Sequence, residues 1–302
     1  MNSIIETYKT YVLGISSIGL DGELIDNVTS LPKPRIFVYE EMIVATAEEC
    51  LKMTEAKYTI LRNTGVYTAL GEIVIIKITS SGFVLVGGPS VVTQMETLID
   101  VFKSMNIAKI LIDGAFSRRT VSKSTDACIF AVGAAYSTDM TKVVEAAKLS
   151  LYQFSLPKIP DEYKYLDGIE HITLIDKNSH RTVLSYNSVI QYQNEVCDLL
   201  SDEVDYLYLP GSLTSSFLKE LLTNRKLNQL RIIIKSPTHM VLPESMLRHI
   251  QNSKIKVYVI NPINLVSIMY NPYSPTGHYF DDIIFNQELS KITNLPIINV
   301  MN

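Results

Sequence analysis

The apolar run Ile110-Leu111-Ile112 ends at Asp113-Gly114-Ala115-Phe116-Ser117-Arg118-Arg119-Thr120, the sharpest chemical signal in the chain. Paired arginines offer bidentate contacts to a phosphate or carboxylate, and an acid at a strand end binds a metal or orients a guanidinium. A purely structural Asp113–Arg118 pair uses the same residues. Upstream, Ser16-Ser17-Ile18-Gly19-Leu20-Asp21-Gly22-Glu23 follows another apolar run. Its serines suit an anion and its carboxylates, Asp21 foremost, a divalent ion, while the same letters also spell an ordinary Asp-Gly turn. In Gly87-Gly88-Pro89-Ser90 the glycines, Gly88 among them, let backbone approach a ligand. Ser90 is the expected N-cap of a following helix whose free N–H groups favour an anion.

Two loops in the second half combine prolines, hydroxyls and an imidazole. They are Lys235-Ser236-Pro237-Thr238-His239 and Asn271-Pro272-Tyr273-Ser274-Pro275-Thr276-Gly277-His278. Rigid loops of this kind present side chains, which makes Lys235, His239, Asn271 and His278 candidates, with the two histidines meeting as acid, base or ligand. His171, His180 and His249 lack HxxxH or HExxH spacing, so no structural zinc is expected. Cys50, Cys128 and Cys197 lie far apart without a CxxC pair and read as buried reduced thiols. No GxxxxGK[ST], GxGxxG or GxSxG motif is present, so no standard nucleotide-binding or hydrolase assignment follows and no catalytic residue is assigned. Asp21, Glu23, Asp113 and Asp126 leave open a Mg²⁺ shared with a nucleotide such as ATP.

These loops can share a site because open α/β sheets bind ligands beyond the carboxyl ends of their strands. Apolar, β-branched runs predict strands at 11–18, 36–39, 58–61, 72–79, 83–86, 109–112 and 127–132, and helical stripes predict helices at 91–105 and 140–154. Ser80-Ser81-Gly82 predicts an antiparallel hairpin between 72–79 and 83–86. The stretch Leu156-Pro157-Lys158-Ile159-Pro160 reads as a domain boundary. Beyond it, strands at 169–174, 206–209, 230–234, 255–260 and 297–300 alternate with helices near 188–200, 215–223, 243–252 and 281–292, and 265–270 is strand-like. The expectation is an α/β protein of two α/β units with mainly parallel sheets. Residues 1–156 form the first, with some antiparallel strands, and 157–302 a smaller, doubly wound second.

The formal charge is −4 over 302 residues, too little of either sign for a nucleic-acid arm. Charged residues are only 19% and hydrophobic ones 47%, which excludes low-complexity disorder and implies a large core. No apolar run is long enough for a bilayer span, and Glu6 precedes any apolar stretch, unlike a signal peptide, so a cytoplasmic protein without membrane contact is expected. Assembly into a homo-oligomer is left open. A stand-alone enzyme for a small carboxylate or phosphate compound, working through Asp113 and Arg118 or through His239 and His278, is one functional reading of these loops, and a scaffold binding only protein is another.

The ensemble of Ser16-Ser17-Ile18-Gly19-Leu20-Asp21-Gly22-Glu23, Thr64-Gly65, Leu70-Gly71-Glu72, Gly88-Pro89-Ser90, Asp113-Gly114-Ala115-Phe116-Ser117-Arg118 and Asn271-Pro272-Tyr273-Ser274-Pro275 resembles a family over nearly the whole chain. That family is the KamB-type subunit of the lysine 5,6-aminomutase reactivase, an accessory protein of cobalamin- and pyridoxal-phosphate-dependent lysine or ornithine aminomutases. The resemblance implies a cytoplasmic partner of a MutS-like ATPase subunit that exchanges damaged cobalamin from the aminomutase without running the radical chemistry. The chain lacks the DxHxxG cobalamin-binding signature, so no base-off cofactor is expected to bind through histidine. The family supplies no catalytic residues to carry over.

Overall fold

The computed structural model describes residues 1–18, 35–107, 109–114, 125–223 and 229–301. The chain divides into two compact units, Met1–Ser124 and Thr125–Asn302. This division falls well before the proline-rich stretch at Leu156, because the strand and helix preceding Leu156 find their partners in the second unit.

The first unit runs α1 (Asn2–Thr7), β1 (Leu13–Ser17), β2 (Ile36–Val38), β3 (Ile43–Ala47), α2 (Glu48–Leu51), β4 (Lys57–Thr68), β5 (Gly71–Ser80), β6 (Gly82–Val84), α3 (Val92–Ser104) and β7 (Lys109–Asp113). Its main sheet has the order β4-β5-β3-β1-β7. β1 is parallel to β3 and β7, whereas β5 is antiparallel to β3 and β4. Every residue of β1 and β3 is buried, as expected of strands covered on both faces. β5 divides its side chains by the two-residue period of a strand. Ile73 and Ile75 pack with Met95, Leu98 and Phe102 of α3, and Val74, Ile76 and Ile78 pack with Ile5, Val38 and Val84.

Two expectations change here. The central strand β3 was not among the predicted strands. The hairpin expected between the strands now numbered β5 and β6 is absent: β5 turns back on β4 through Ala69-Leu70, and β6 pairs antiparallel with β2. Gly82 explains the switch. A Cβ there would lie 2.8 Å from Ala56 Cα, and the backbone N–H groups of Glu55 and Ala56 donate to Phe83 O, so β6 is tied to the chain before β4.

The second unit contains β8 (Cys128–Gly133), α4 (Met140–Phe154), a 3₁₀ segment (Asp161–Gly168), β9 (Thr173–Asp176), β10 (Arg181–Val183), α5 (Gln193–Leu199), β11 (Val204–Leu209), β12 (Leu213–Thr214), α6 (Ser215–Thr223), β13 (Arg231–Ile234), β14 (Met240–Val241), α7 (Glu244–Gln251), β15 (Lys256–Val259), β16 (Leu265–Asn271), α8 (Asp282–Ser290) and β17 (Ile297–Asn299). One sheet has the order β10-β9-β11-β13-β15, with β11, β13 and β15 parallel and β9 and β10 antiparallel. A separate, wholly parallel sheet has the order β17-β16-β8, so the strand expected near residue 297 completes that sheet instead of the larger one. α4 serves both. Its Leu149 packs with Leu207 and Ile232, and its Val143, Ala147 and Leu151 pack with Ile268 and Phe285. Gln153, 1% exposed, donates through Nε2 to Pro237 O at 2.7 Å and Met240 O at 2.9 Å, fixing the loop after β13 to the same helix.

Candidate functional site

The carboxyl ends of β1 and β3 meet the segment Leu85–Gly88 on one edge of the first sheet, and β7 ends beside β1. Ser17 and Asp113 are register partners, and Ile18 N–H donates to Asp113 O at 2.8 Å. The Leu85–Gly88 segment is laced onto the strands by side chain and backbone. Ser17 Oγ donates to Val86 O at 3.0 Å and Thr46 Oγ1 to Leu85 O at 3.0 Å; Gly87 N–H donates to Thr46 Oγ1 at 2.9 Å and Ala47 N–H to Gly87 O at 2.8 Å. Ser16 Oγ joins the neighbouring strand by donating to Ala45 O at 3.2 Å. Gly88 is demanded by contact, since a Cβ would stand 1.7 Å from Ser17 O.

This lacing changes what the edge can do. A hydroxyl has one proton to give, and those of Ser16, Ser17 and Thr46 are already given to carbonyls in the fold. The serines therefore shape the edge and are not its anion donors. The next backbone donors along the chain are those of α3, thirteen residues long and starting at Val92 just beyond this segment. The N-cap is Val91, one residue later than the expected Ser90, it supplies no side-chain cap, and no acid stands in the first turn. A helix start presents its first backbone N–H groups and the positive end of the helix dipole. Ser90 is exposed beside it, while Gly88 and Pro89 are buried.

The structure thus brings Ser16, Ser17, Gly88 and Asp113 to one edge, with Ser90 at the start of α3. Asp21, Arg118 and Arg119 lie outside the described residues, as does Glu23. Thr46, which no sequence motif singled out, is as central as the serines. Its only signal is a hydroxyl near the end of an apolar run.

Another part of the motif ensemble turns out to be a structural clamp. Glu72 is 8% exposed and accepts from Gly65 N–H at 2.7 Å and from Asn63 Nδ2 at 2.8 Å, holding the irregular stretch of β4 where the register shifts. The Gly65 N–H, and after it the Asn63 amide, hold its carboxyl below the usual range. Gly65 and Gly71 both have positive φ, 73° and 93°, which a side chain would strain.

In the second unit the two histidines do not share a site. Nδ1 of His239 is 2.9 Å from Ser236 Oγ on the loop after β13, whereas His278 contacts Thr276 Oγ1 at 3.1 Å and Ser137 O at 3.3 Å beyond β16. The two strands belong to different sheets; the His239 ring is held within its own loop, and the His278 ring by its own loop and by Ser137 before α4. Lys235 is half-buried, with its carbonyl accepting from Asn261 N–H; Asn271 Oδ1 accepts from Tyr273 N–H at 2.9 Å in its own turn. All three cysteines are free thiols, Cys50 buried and the other two half-buried. Burial pushes the Cys197 thiol up to about 11, which removes it as a nucleophile at neutral pH. Among the described residues no group of three or more His, Cys, Asp and Glu side chains could hold a metal ion, and no helix is long and apolar enough to cross a membrane.

Comparison with protein-family models, with curated proteins and with solved structures finds no match to this chain.

Proposed function

We propose that this protein is a cytoplasmic accessory subunit that reactivates a cobalamin-dependent amino-acid aminomutase. In this reading it works beside a MutS-like ATPase and holds a small anionic ligand or nucleotide at the carboxyl edge of the first sheet, with ATP and Mg²⁺ as the first candidates. The aminomutase part rests on the resemblance of the loop motifs to the KamB-type subunit. The ligand part rests on one observation, the uncapped start of α3 joined to backbone that Gly88 allows to pack against Ser17.

Two measurements test the two parts separately. Affinity capture from the native host followed by mass spectrometry should recover an aminomutase and a MutS-like ATPase, and recovery of neither removes the accessory role. A thermal-shift series with phosphate, ATP and ATP plus Mg²⁺ tests the ligand, because a ligand at about 100 times its Kd adds roughly 2.7 kcal/mol of stability. Val91, 52% exposed, offers a clean variant. Val91→Asp supplies the missing cap and should stabilise the free protein by about 1 kcal/mol while abolishing the anion-induced shift. An undiminished shift in that variant moves the ligand away from α3. A shift with a small metabolite that needs no partner protein would favour the stand-alone enzyme.

A further inference from the structure

α8 is unusual among the helices of the second unit in turning isoleucines outward. Ile283 is 69% exposed and Ile284 51%. A helix on a globular surface normally shows solvent a polar face. Beside Ile283 an open groove of about 620 Å³ runs between α8 and the edge strand β17, lined by Tyr270, Asp282, Ile283, Asn286, Gln287, Ile297, Ile298 and Asn299. That volume is in the range of small-molecule sites, roughly 300–1,000 Å³.

The polar groups at its base are held in place by one another. Tyr270 Oη donates to Asp282 Oδ1 at 2.6 Å, Asn299 Nδ2 donates to the same oxygen at 2.8 Å, and Asn286 Nδ2 donates to Tyr270 Oη at 3.3 Å. Burial, and then the bond to Asp282, raise the Tyr270 phenol, so it stays a donor through the neutral range. Both of these bonds to the carboxylate fall on Oδ1, and among the described residues no side chain donates to Oδ2. The lining contains no Lys, Arg or His, so Asp282 is its one formal charge. Ile283 and, on the face of β17 that carries Asn299, Ile297 supply apolar wall. A half-buried carboxylate with a spare acceptor and aliphatic wall beside it matches a compact donor cation on a short hydrocarbon stem.

We propose that the groove between α8 and β17 binds an alkylammonium group, with the ammonium on Asp282 and its aliphatic stem against Ile283 and Ile297. This site is independent of the ligand edge in the first unit. It differs from a fold-only network in having an oxygen and an apolar wall left over.

The full-length protein is titrated with n-butylammonium through the millimolar range, read by saturable shifts of the side-chain amide signals of Asn286, Gln287 and Asn299. n-Butanol and butyrate, which keep the stem and change the head, should give at least tenfold weaker effects. Asp282→Asn should lose the n-butylammonium response at least tenfold. Because that variant alters a hydrogen-bonded network, Ile283→Thr on the exposed wall serves as a second probe and should weaken binding about threefold in a folded protein. A blocked lysine tripeptide binding more tightly than n-butylammonium assigns the cation to a protein side chain, and weaker or equal binding assigns it to a free amine. Equal responses to n-butanol and n-butylammonium, or no saturable response, would overturn the proposal.

Discussion

The two polar regions of this molecule treat their side chains in opposite ways. At the edge of the first sheet Ser16, Ser17 and Thr46 are buried, and each hydroxyl proton goes to a carbonyl of the same fold. In the groove beside α8, Asp282, Asn286 and Asn299 are half-buried, and the carboxylate keeps one oxygen uncommitted. A buried polar group whose capacity is spent contributes stability and leaves little for a ligand. One that is half-buried and partly spent has capacity left for recognition. Residue type alone does not separate the cases.

Substitutions can break this contrast. The largest effect is expected for Gly88→Ala, where the new Cβ would meet Ser17 O at 1.7 Å. It should cost about 3–5 kcal/mol in denaturant unfolding, because the obstacle is backbone that cannot swing away. Thr46→Val comes next: it strips a donor from Leu85 O and an acceptor from Gly87 N–H. Two backbone groups left unpaired inside the protein should cost about 2–3 kcal/mol. A cost near zero would mean that water reaches this edge and that the hydroxyls are free for a ligand after all.

Glu72 adds a dependence on acid. Its folded carboxyl is held below the ordinary value of 4.5, so its contribution is full above that value and is lost as pH falls through the lower, folded one. The pH profile of stability should therefore drop more steeply below about 4.5 in the natural protein than in Glu72→Gln, and identical acid limbs would remove Glu72 as the clamp on β4. The smallest effect is expected for Asp282→Asn, whose amide oxygen can still accept from Tyr270 and Asn299. A loss of about 1 kcal/mol or less keeps the groove a recognition surface, whereas 3 kcal/mol would place it with the spent hydroxyls of the first sheet.

Much of the fold was readable where a local pattern is long. The helix at 140–154 coincides with α4 and that at 215–223 with α6, because apolar stripes over several turns leave little ambiguity. β3 was missed because Ile43-Val44-Ala45-Thr46-Ala47 contains two alanines and runs straight into the acidic start of α2. β6 was mispaired because Ser80-Ser81-Gly82 carries hairpin chemistry, while the deciding contact, Gly82 against Ala56, is long-range. The Pro157 boundary misled for a related reason: β8 finds its partner in β16, and no local pattern announces that pairing. In the candidate site, the strand-end position of Ser17, Gly88 and Asp113 was legible from topology. The direction of each hydroxyl proton was not, because it depends on carbonyls up to 69 residues away.

The pairing of β8 with β16 also has a consequence in time. Asp126 O accepts from Asn264, which follows it by 138 residues. At ribosomal speeds of about 5–20 residues per second, the start of β8 waits on the order of 10 s for that partner to be synthesised. Through that interval Val143, Ala147 and Leu151 of α4 have no Ile268 or Phe285 to cover them. The nascent second unit therefore carries an uncovered apolar helix for most of its synthesis, and its yield in a cell should depend on chaperone supply and on how fast residues 155–270 are translated.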